Sequence, residues 1–177
     1  MRIYFSDSRM PEFAALPPDI ARAVLRRALY CSNLMTFSFG QSKHERIEVD
    51  VIRYERSPVG EYHDDNWLTS QVSVCVGGFR GKVDVAIVTD ELAAFLTQLR
   101  PLYQSLSGMA EFTTLETQLH LRLSGDGKGH IALVGEVADQ PGIGNRLHFT
   151  LQLDQSQLET SIHELEEVTA QFPVRAV

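Results

Sequence analysis

Residues 124–130, "SGDGKGH", combine three glycines, an aspartate and a lysine, a composition similar to that of phosphate-binding loops. Such a loop requires a serine or threonine hydroxyl at a fixed spacing and a helix that follows at once. Here His130 stands in place of the hydroxyl, and an alternating apolar pattern typical of a strand follows it. Asp-Gly between two alternating stretches favours a β-hairpin. The sequence therefore predicts a hairpin turn here, and another at "QPGIGN" (140–145).

Residues 62–67, "YHDDNW", place a histidine, two acids and an amide beside two aromatic residues. A metal site would need one or two further ligands, and the sequence indicates none. A structural turn is the main alternative, because Asp64, Asp65 and Asn66 can accept hydrogen bonds from backbone N–H groups. The third possible interpretation of this segment is a loop that binds a partner protein.

If this loop binds a partner, the candidate contacts are Glu61, Tyr62, Asp64, Asp65 and Trp67. Aromatic side chains supply much of the binding energy at protein interfaces, and acids at the rim attract a basic partner. Core-facing residues of the following strand begin one position after Trp67. Trp67 is therefore predicted to lie on the outer face, unless a bulge changes the register. The alternative to a partner contact is that Trp67 folds over a sheet edge or packs beneath the N-terminal helix, because large aromatic side chains are usually buried.

The remaining candidates for chemistry are isolated. His120, His130 and His148 fall on the polar side of predicted strands, and they could bind zinc only if they met on one face. Cys75 lies within an alternating strand with no basic helix start nearby, which favours a packed thiol. No serine nucleophile motif is present. The sequence therefore assigns no catalytic residue, no cofactor and no metal ligand.

The elements that would position these residues are predicted from periodicity. Alternation of apolar and polar residues predicts about seven strands, which begin near residue 46 and then cover about 67–76, 82–88, 110–115, 117–123, 130–138 and 145–153. Helical spacing predicts one helix from Thr89 to about Gly108, capped by Thr89 or Asp90, and another at 155–171, capped by Asp154. A short helix at 17–30 begins with two prolines.

These elements predict an α+β fold: an antiparallel sheet system with two main helices packed on one face. One sheet and two layers both remain possible. The short N-terminal helix is predicted to belong to an appendage (1–45), followed by an α+β domain (46–177). A strand, an aspartate and a helix recur at 83–99 and 147–165. This is compatible with an internal duplication, or with the general preference for a capping aspartate.

Charge is distributed unevenly along the 177 residues. Residues 1–45 carry 6 basic and 4 acidic residues, whereas 46–177 carry 10 basic and 19 acidic ones, within a net charge of −7. An acidic body repels phosphate backbones, so direct binding to nucleic acid is not expected. It attracts a basic protein partner, although solubility alone is also a sufficient reason for such a composition.

Cysteine usage and apolar runs point to the cytoplasm. Cys31 and Cys75 share no motif and are predicted to be reduced thiols. The N-terminal "MRIYFSDSRM" lacks the pattern of a signal peptide, and no stretch is long and apolar enough to span a bilayer. A cytoplasmic protein that does not associate with membranes is therefore expected, with its oligomeric state left open.

Several turn and cap motifs, spread over about residues 62–174, resemble those of the WapI-like immunity proteins of bacteria. They are "DDNWL", "GGFRGK", "TDELAAF", "LYQSLSG", "SGDGKGHI", "DQPGIGNRLHF" and "LDQSQLETSIHELE", closing on "FPV". The resemblance implies a non-catalytic bacterial protein that binds and neutralises a toxin domain. The acidic body is compatible with a basic toxin as partner.

The sequence leaves two classes of function open. The first is a binding protein of immunity type. The second is a small-ligand-binding protein or an enzyme whose site is assembled from residues scattered across the strands. A deep cleft lined by convergent polar groups would favour the second class, and a flat acidic surface would favour the first.

Overall fold

Two four-stranded antiparallel meanders, each followed by a helix of 17 residues, make up the chain that the structure describes. The structure is a computed structural model, and it describes residues 34–42 and 44–175. The predicted helix at 17–30 lies outside these residues.

The first half contains β1 (Met35–Ser42), β2 (Glu45–Tyr54), the one-turn helix α1 (Tyr62–Asp65), β3 (Trp67–Val76), β4 (Phe79–Val88) and α2 (Thr89–Ser105). The second half contains β5 (Ser107–Thr113), β6 (Leu119–Asp126), β7 (His130–Ala138), β8 (Arg146–Asp154) and α3 (Gln155–Gln171). Strand order follows chain order in both sheets, which we call sheet A (β1–β4) and sheet B (β5–β8).

The α+β class and the antiparallel pairing are confirmed, but the described chain has eight strands rather than about seven. The additional strand is β1, which pairs with β2 over Met35–Ser42 and Glu45–Val51. It lies inside the segment 1–45 that was predicted as an appendage. The division into an appendage and a domain is otherwise still a prediction.

Alternation along the strands produces one hydrophobic core. In β3, for example, Leu68, Val72 and Val74 are buried, whereas Thr69 and Gln71 lie on the outer face. The buried faces of both sheets and of both long helices belong to a single cluster of side chains. Burial of this apolar surface is the main force that stabilises the fold.

Each long helix is hydrogen-bonded to the first strand of the other half. The tenth residue of α2 is Gln98, whose side chain accepts from the N–H of Glu111 in β5 (3.0 Å) and donates to its carbonyl (3.2 Å). The tenth residue of α3 is Glu164, which accepts from the N–H of Ser38 in β1 (2.9 Å). Ser161 donates to the Ser38 carbonyl. Since β1 and β5 are edge strands among the described residues, these contacts satisfy backbone groups that no described strand reaches.

The N-terminal capping residue predicted from the sequence is correct for α3 and wrong for α2. Asp154 caps α3 as predicted, because its carboxylate accepts from the N–H of Gln157 (3.1 Å). The predicted caps of α2, Thr89 and Asp90, are wrong: Val88 occupies the cap position, and the Glu91 carboxylate accepts from its N–H (2.8 Å). The Thr89 hydroxyl instead donates to a buried amide described below.

The end of α2 also differs from the prediction, because the helix is capped at Leu106, two residues before Gly108, and Leu106 adopts the left-handed conformation (φ 54°). Its carbonyl accepts from the N–H of Gly127 (2.7 Å), in the turn between β6 and β7. A Cβ at Gly125 would lie 2.3 Å from the same carbonyl oxygen. Glycine at 125 is what permits this close approach, so the hairpin holds the leucine in a conformation it rarely adopts.

None of the helices in the described chain is long and apolar enough to cross a membrane.

Replacing Glu164 with alanine tests the hydrogen bonds between α3 and β1. The substitution leaves the buried N–H of Ser38 without an acceptor, so we expect a loss of about 1–3 kcal/mol in the free energy of unfolding. The measurement is chemical denaturation, together with hydrogen exchange at the Ser38 amide, which should become faster. The control is Glu167→Ala on the same helix, which removes only an exposed pairing with His163. Equal stabilities of the two variants would contradict the importance of the contact.

Candidate partner-binding surface

The loop between β2 and β3 (residues 55–66) folds around the carboxylate of Asp65. One oxygen, Oδ2, accepts from the N–H groups of Val59 (2.9 Å), Gly60 (2.8 Å) and Glu61 (3.0 Å). The other, Oδ1, accepts from Arg56 Nε (3.2 Å). Asp65 is 4% exposed, so its charge is used inside the loop and is not available to a partner.

These contacts also fix the protonation state of Asp65. Burial by itself would raise the pKa of this carboxyl group. The hydrogen bonds from three backbone N–H groups and from Arg56 outweigh that effect, and they hold the pKa below its ordinary value. The loop is therefore organised by a carboxylate that stays ionised throughout the neutral range.

Asn66 connects the loop to two distant segments. Its side chain is fully buried; Nδ2 donates to the carbonyls of Tyr62 (2.7 Å) and Arg175 (3.0 Å), and Oδ1 accepts from the Thr89 hydroxyl (2.8 Å) and the Arg175 N–H (2.8 Å). The Arg175 guanidinium also stacks 3.3 Å from the centroid of the Tyr54 ring. All four hydrogen-bonding positions of this amide are occupied, so the loop is fixed to the start of α2 and to the end of the chain.

The exposed side of this rigid loop carries Glu61, Tyr62 and Asp64. Asp64 pairs with Arg56 (3.0 Å) and keeps 61% of its side chain exposed. Tyr62 is 37% exposed, and its hydroxyl donates to the Asp90 carboxylate (2.6 Å). That hydrogen bond raises the pKa of Tyr62, so the phenol remains protonated and keeps its fixed position at neutral pH.

Trp67 follows the loop as the first residue of β3. It lies opposite Val88 of β4, on the outer face of sheet A, and it is partly exposed. No bulge interrupts the pairing of β3 with β4, so the register predicted from Leu68 holds. Glu61, Tyr62, Asp64 and Trp67 thus lie within seven consecutive residues at the start of β3, each at least partly exposed, whereas Asp65 is buried.

Two neighbours of the loop come from elements that are distant in sequence. Asp90 holds Tyr62 from the first turn of α2. Next to it, Glu91 accepts from the N–H of Leu115 (2.6 Å), and this places an apolar side chain that is 69% exposed beside the start of α2. Leu115 was predicted to end a strand, but β5 stops at Thr113. No local pattern indicated these neighbours, because tertiary contacts alone bring them to the loop.

We call the set Glu61, Tyr62, Asp64, Trp67 and Asp90 the acidic loop surface. It combines exposed carboxylates with two aromatic rings on a rigid backbone. Such a surface can attract a basic protein over distance and then bury an aromatic contact. It contains no arrangement of nucleophile, base and acid.

The histidines do not assemble a metal site. On the outer face of sheet B, His120 and His148 lie on either side of Glu136, and His130 contacts Asp126 in the adjoining turn. Among residues 34–42 and 44–175, no group of three or more His, Cys, Asp or Glu side chains could hold a metal ion.

Both glycine-rich segments are hairpin turns, as predicted. In the first, Asp126 accepts from the N–H groups of Lys128 (2.7 Å) and His130 (3.2 Å), and Gly127 and Gly129 have positive φ. In the second, Asp139 accepts from the N–H of Asn145 (2.8 Å). The lysine and aspartate of "SGDGKGH" therefore have structural surroundings that differ from those of a phosphate loop.

A family model described as the immunity protein WapI-like family matches residues 38–173.

The chain belongs to the WapI-like immunity family.

The match begins within β1 and ends after α3, so it includes both halves of the fold. The resemblance over about residues 62–174 is confirmed, and the match extends further toward the N-terminus than expected. A search of the curated proteins found no match. Membership of the WapI-like family indicates an immunity role, and the acidic loop surface lies within the matched residues.

The contribution of Asp65 can be measured through its pH dependence. Asp65→Asn keeps the shape of the side chain but removes the charge that accepts three N–H groups, so we expect Tm at pH 7 to fall by roughly 5 °C. Because the folded pKa is depressed, the stabilisation is present above the ordinary pKa of aspartate and is lost as the pH falls through the folded value. The difference in Tm should therefore narrow below about pH 4.

The matched control is Asp64→Asn, one position earlier, where the carboxylate is mostly exposed. The Tm of this variant should stay close to that of the unmodified protein at pH 7 and at pH 3. A difference between the Asp65→Asn variant and the unmodified protein that stays constant from pH 7 to pH 3 would show that the charge of Asp65 is not the cause.

Proposed function

We propose that this protein is a non-catalytic immunity protein that neutralises a toxin domain by binding it directly. The observation that carries the proposal is the family match, which spans nearly all of the described fold. The acidic loop surface supports it, since this surface offers charged and aromatic contacts without the residues of an active site. A cytoplasmic bacterial location is part of the same proposal.

The acidic loop surface is proposed to contact a basic partner. Glu61 and Asp64 project from a backbone that Asp65 and Asn66 hold rigid, so little conformational entropy is lost when a partner binds. Carboxylates at an exposed rim increase the rate of encounter with a basic protein more than they slow dissociation. The buried Asp65 is not included among the proposed contacts.

The direct test uses the toxin encoded by the neighbouring gene, since an immunity gene usually follows its toxin gene. Expression of the toxin domain should arrest growth, co-expression of this protein should restore it, and the two purified proteins should form a complex. Restored growth without a complex would contradict neutralisation by direct binding. A complex without restored growth would contradict the immunity role itself.

Charge reversal tests the contribution of the loop to encounter. The double variant Glu61→Lys, Asp64→Lys should lower the association rate with the toxin domain by about tenfold at low salt, and the difference should shrink as salt is added. Surface plasmon resonance at several salt concentrations measures both the association rate and its dependence on salt. The matched control, Glu111→Lys with Glu159→Lys, makes the same change in net charge at exposed positions outside the loop. Equal effects of both double variants would indicate a response to net charge alone, and would exclude the loop as the contact.

Trp67 is proposed as the aromatic contact of this surface. Because its side chain is only partly buried, Trp67→Ala should lower Tm by no more than roughly 4 °C while raising the Kd for the toxin domain by about thirtyfold or more. Calorimetry measures both quantities. Thr69→Ala, two residues along the same outer face, is the control and should change neither. A large fall in Tm with unchanged Kd would assign Trp67 to the packing of the sheet instead.

A further inference from the structure

A second feature of sheet A is a cationic groove on its outer face, at the opposite end of β3 from the acidic loop surface. Cys75 of β3 lies directly between Arg46 of β2 and Arg80 of β4. In the next row, Ser73 lies between Glu48 and Lys82. Cross-strand neighbours on one face are about 5 Å apart, so three basic residues gather over two rows of the sheet.

These residues line an open groove of about 770 Å³. β3 lies at its centre, and Arg46 of β2 and Arg80 and Lys82 of β4 line it on either side. A volume of this size accommodates a small organic molecule, because ligand sites commonly occupy about 300–1,000 Å³.

The charges in the groove are not balanced by the protein. Among the residues that the structure describes, Glu48 is the one carboxylate that lines the groove, and it is already paired with Arg46 (3.0 Å). Arg80 Nη2 contacts His44 Nδ1 (3.2 Å), which carries no negative charge. Within the part of the chain that the structure describes, Lys82 has no ion-pair partner. The groove therefore keeps a net positive charge in a protein whose overall charge is −7.

The donors in the groove match one ligand chemistry. The Arg80 guanidinium can donate two parallel hydrogen bonds to a phosphate, and the Lys82 ammonium adds a point charge. Arg46 uses Nε and Nη2 on Glu48 and keeps Nη1 for a phosphate oxygen. Ser73 contributes a hydroxyl on the floor, and Cys75 and Gly81 add apolar surface beside it, whereas the Val74 side chain faces the core. Bare inorganic phosphate would leave that apolar surface exposed to water, so an organic phosphate fits the groove better.

We propose that the cationic groove binds a small phosphorylated organic molecule, with Arg46, Arg80 and Lys82 contacting the phosphate. This function is independent of toxin binding. No bond is made or broken, since the groove offers charge and shape without a catalytic arrangement.

The test uses phenyl phosphate as the probe and the intact protein. Isothermal titration calorimetry should show saturable binding of phenyl phosphate, and benzoate, which has the same ring but a single charge, should bind at least about tenfold more weakly. In the variant Arg80→Gln, Lys82→Gln, affinity for phenyl phosphate should also fall about tenfold or more. Both side chains are exposed, so the variant is expected to fold. The control, Arg122→Gln with Lys128→Gln, removes two exposed positive charges from β6 and from the turn that follows it, and should leave affinity unchanged.

Cys75 reports directly on the location of binding. In a Cys31→Ser background, saturating phenyl phosphate should slow the modification of Cys75 by dithiobis(nitrobenzoate). This reagent is an anion, so a phosphate bound in the groove should both block and repel it. Unchanged modification would place the binding elsewhere and overturn the proposal. Absence of phenyl phosphate binding would overturn the proposal as well. If a poly-glutamate peptide binds and phenyl phosphate does not, the groove would be assigned to an acidic polypeptide, and the proposal would also be overturned.

Discussion

The hydrogen bonds that join each long helix to the first strand of the other half are the constraint on which the rest of the fold depends. A four-stranded meander has two open edges, and an edge strand left in water is a site for aggregation. Gln98 covers the edge of β5, and Glu164 with Ser161 covers the edge of β1. Because each helix crosses to the opposite half, neither meander can bury its apolar face without the other. The two halves therefore share one core, and the occurrence of these contacts at the tenth residue of both helices favours an internal duplication over a coincidence of capping.

The same contact explains why the acidic loop surface is rigid. Anchoring α3 on β1 directs the end of the helix toward β2, where Phe172 packs against Tyr54 with ring centroids 5.6 Å apart. From there the chain continues to Arg175, which closes the hydrogen bonds of the buried Asn66. A surface loop is ordinarily among the most mobile parts of a protein. Here its order derives from α3, which is anchored at Ser38. Ser38 lies opposite Glu48, about 20 Å of strand away from Tyr54.

Sequence patterns predicted most strands and both long helices, because alternation and helical spacing record which side chains face a core. They did not predict β1, although Met35, Phe37 and Phe39 alternate with polar residues. Its outer edge is satisfied by Glu164, 126 residues away, and no local signal marks such a partner. The caps of α2 failed for a related reason: the Thr89 hydroxyl is used by Asn66, so Glu91 serves the helix instead. Turn chemistry likewise indicated Asp64, Asp65 and Asn66, but only the path of residues 59–61 determines that Asp65 turns inward.

The distribution of charge over sheet A bears on how the two proposed sites would act together. Trp67 and Cys75 are eight residues apart on β3, a separation of about 26 Å. Between them, Asp50 accepts from Thr36, and Asp84 accepts from Gln71, so the intervening charges are already engaged within the sheet. At physiological ionic strength the Debye length is about 8 Å, and charges this far apart on the surface are largely screened from one another. A basic partner at the acidic loop surface would therefore experience little repulsion from the cationic groove, and both sites could be occupied at once. A change in affinity at one site on occupation of the other would have to be transmitted through β3, since direct electrostatic interaction over that distance is too weak.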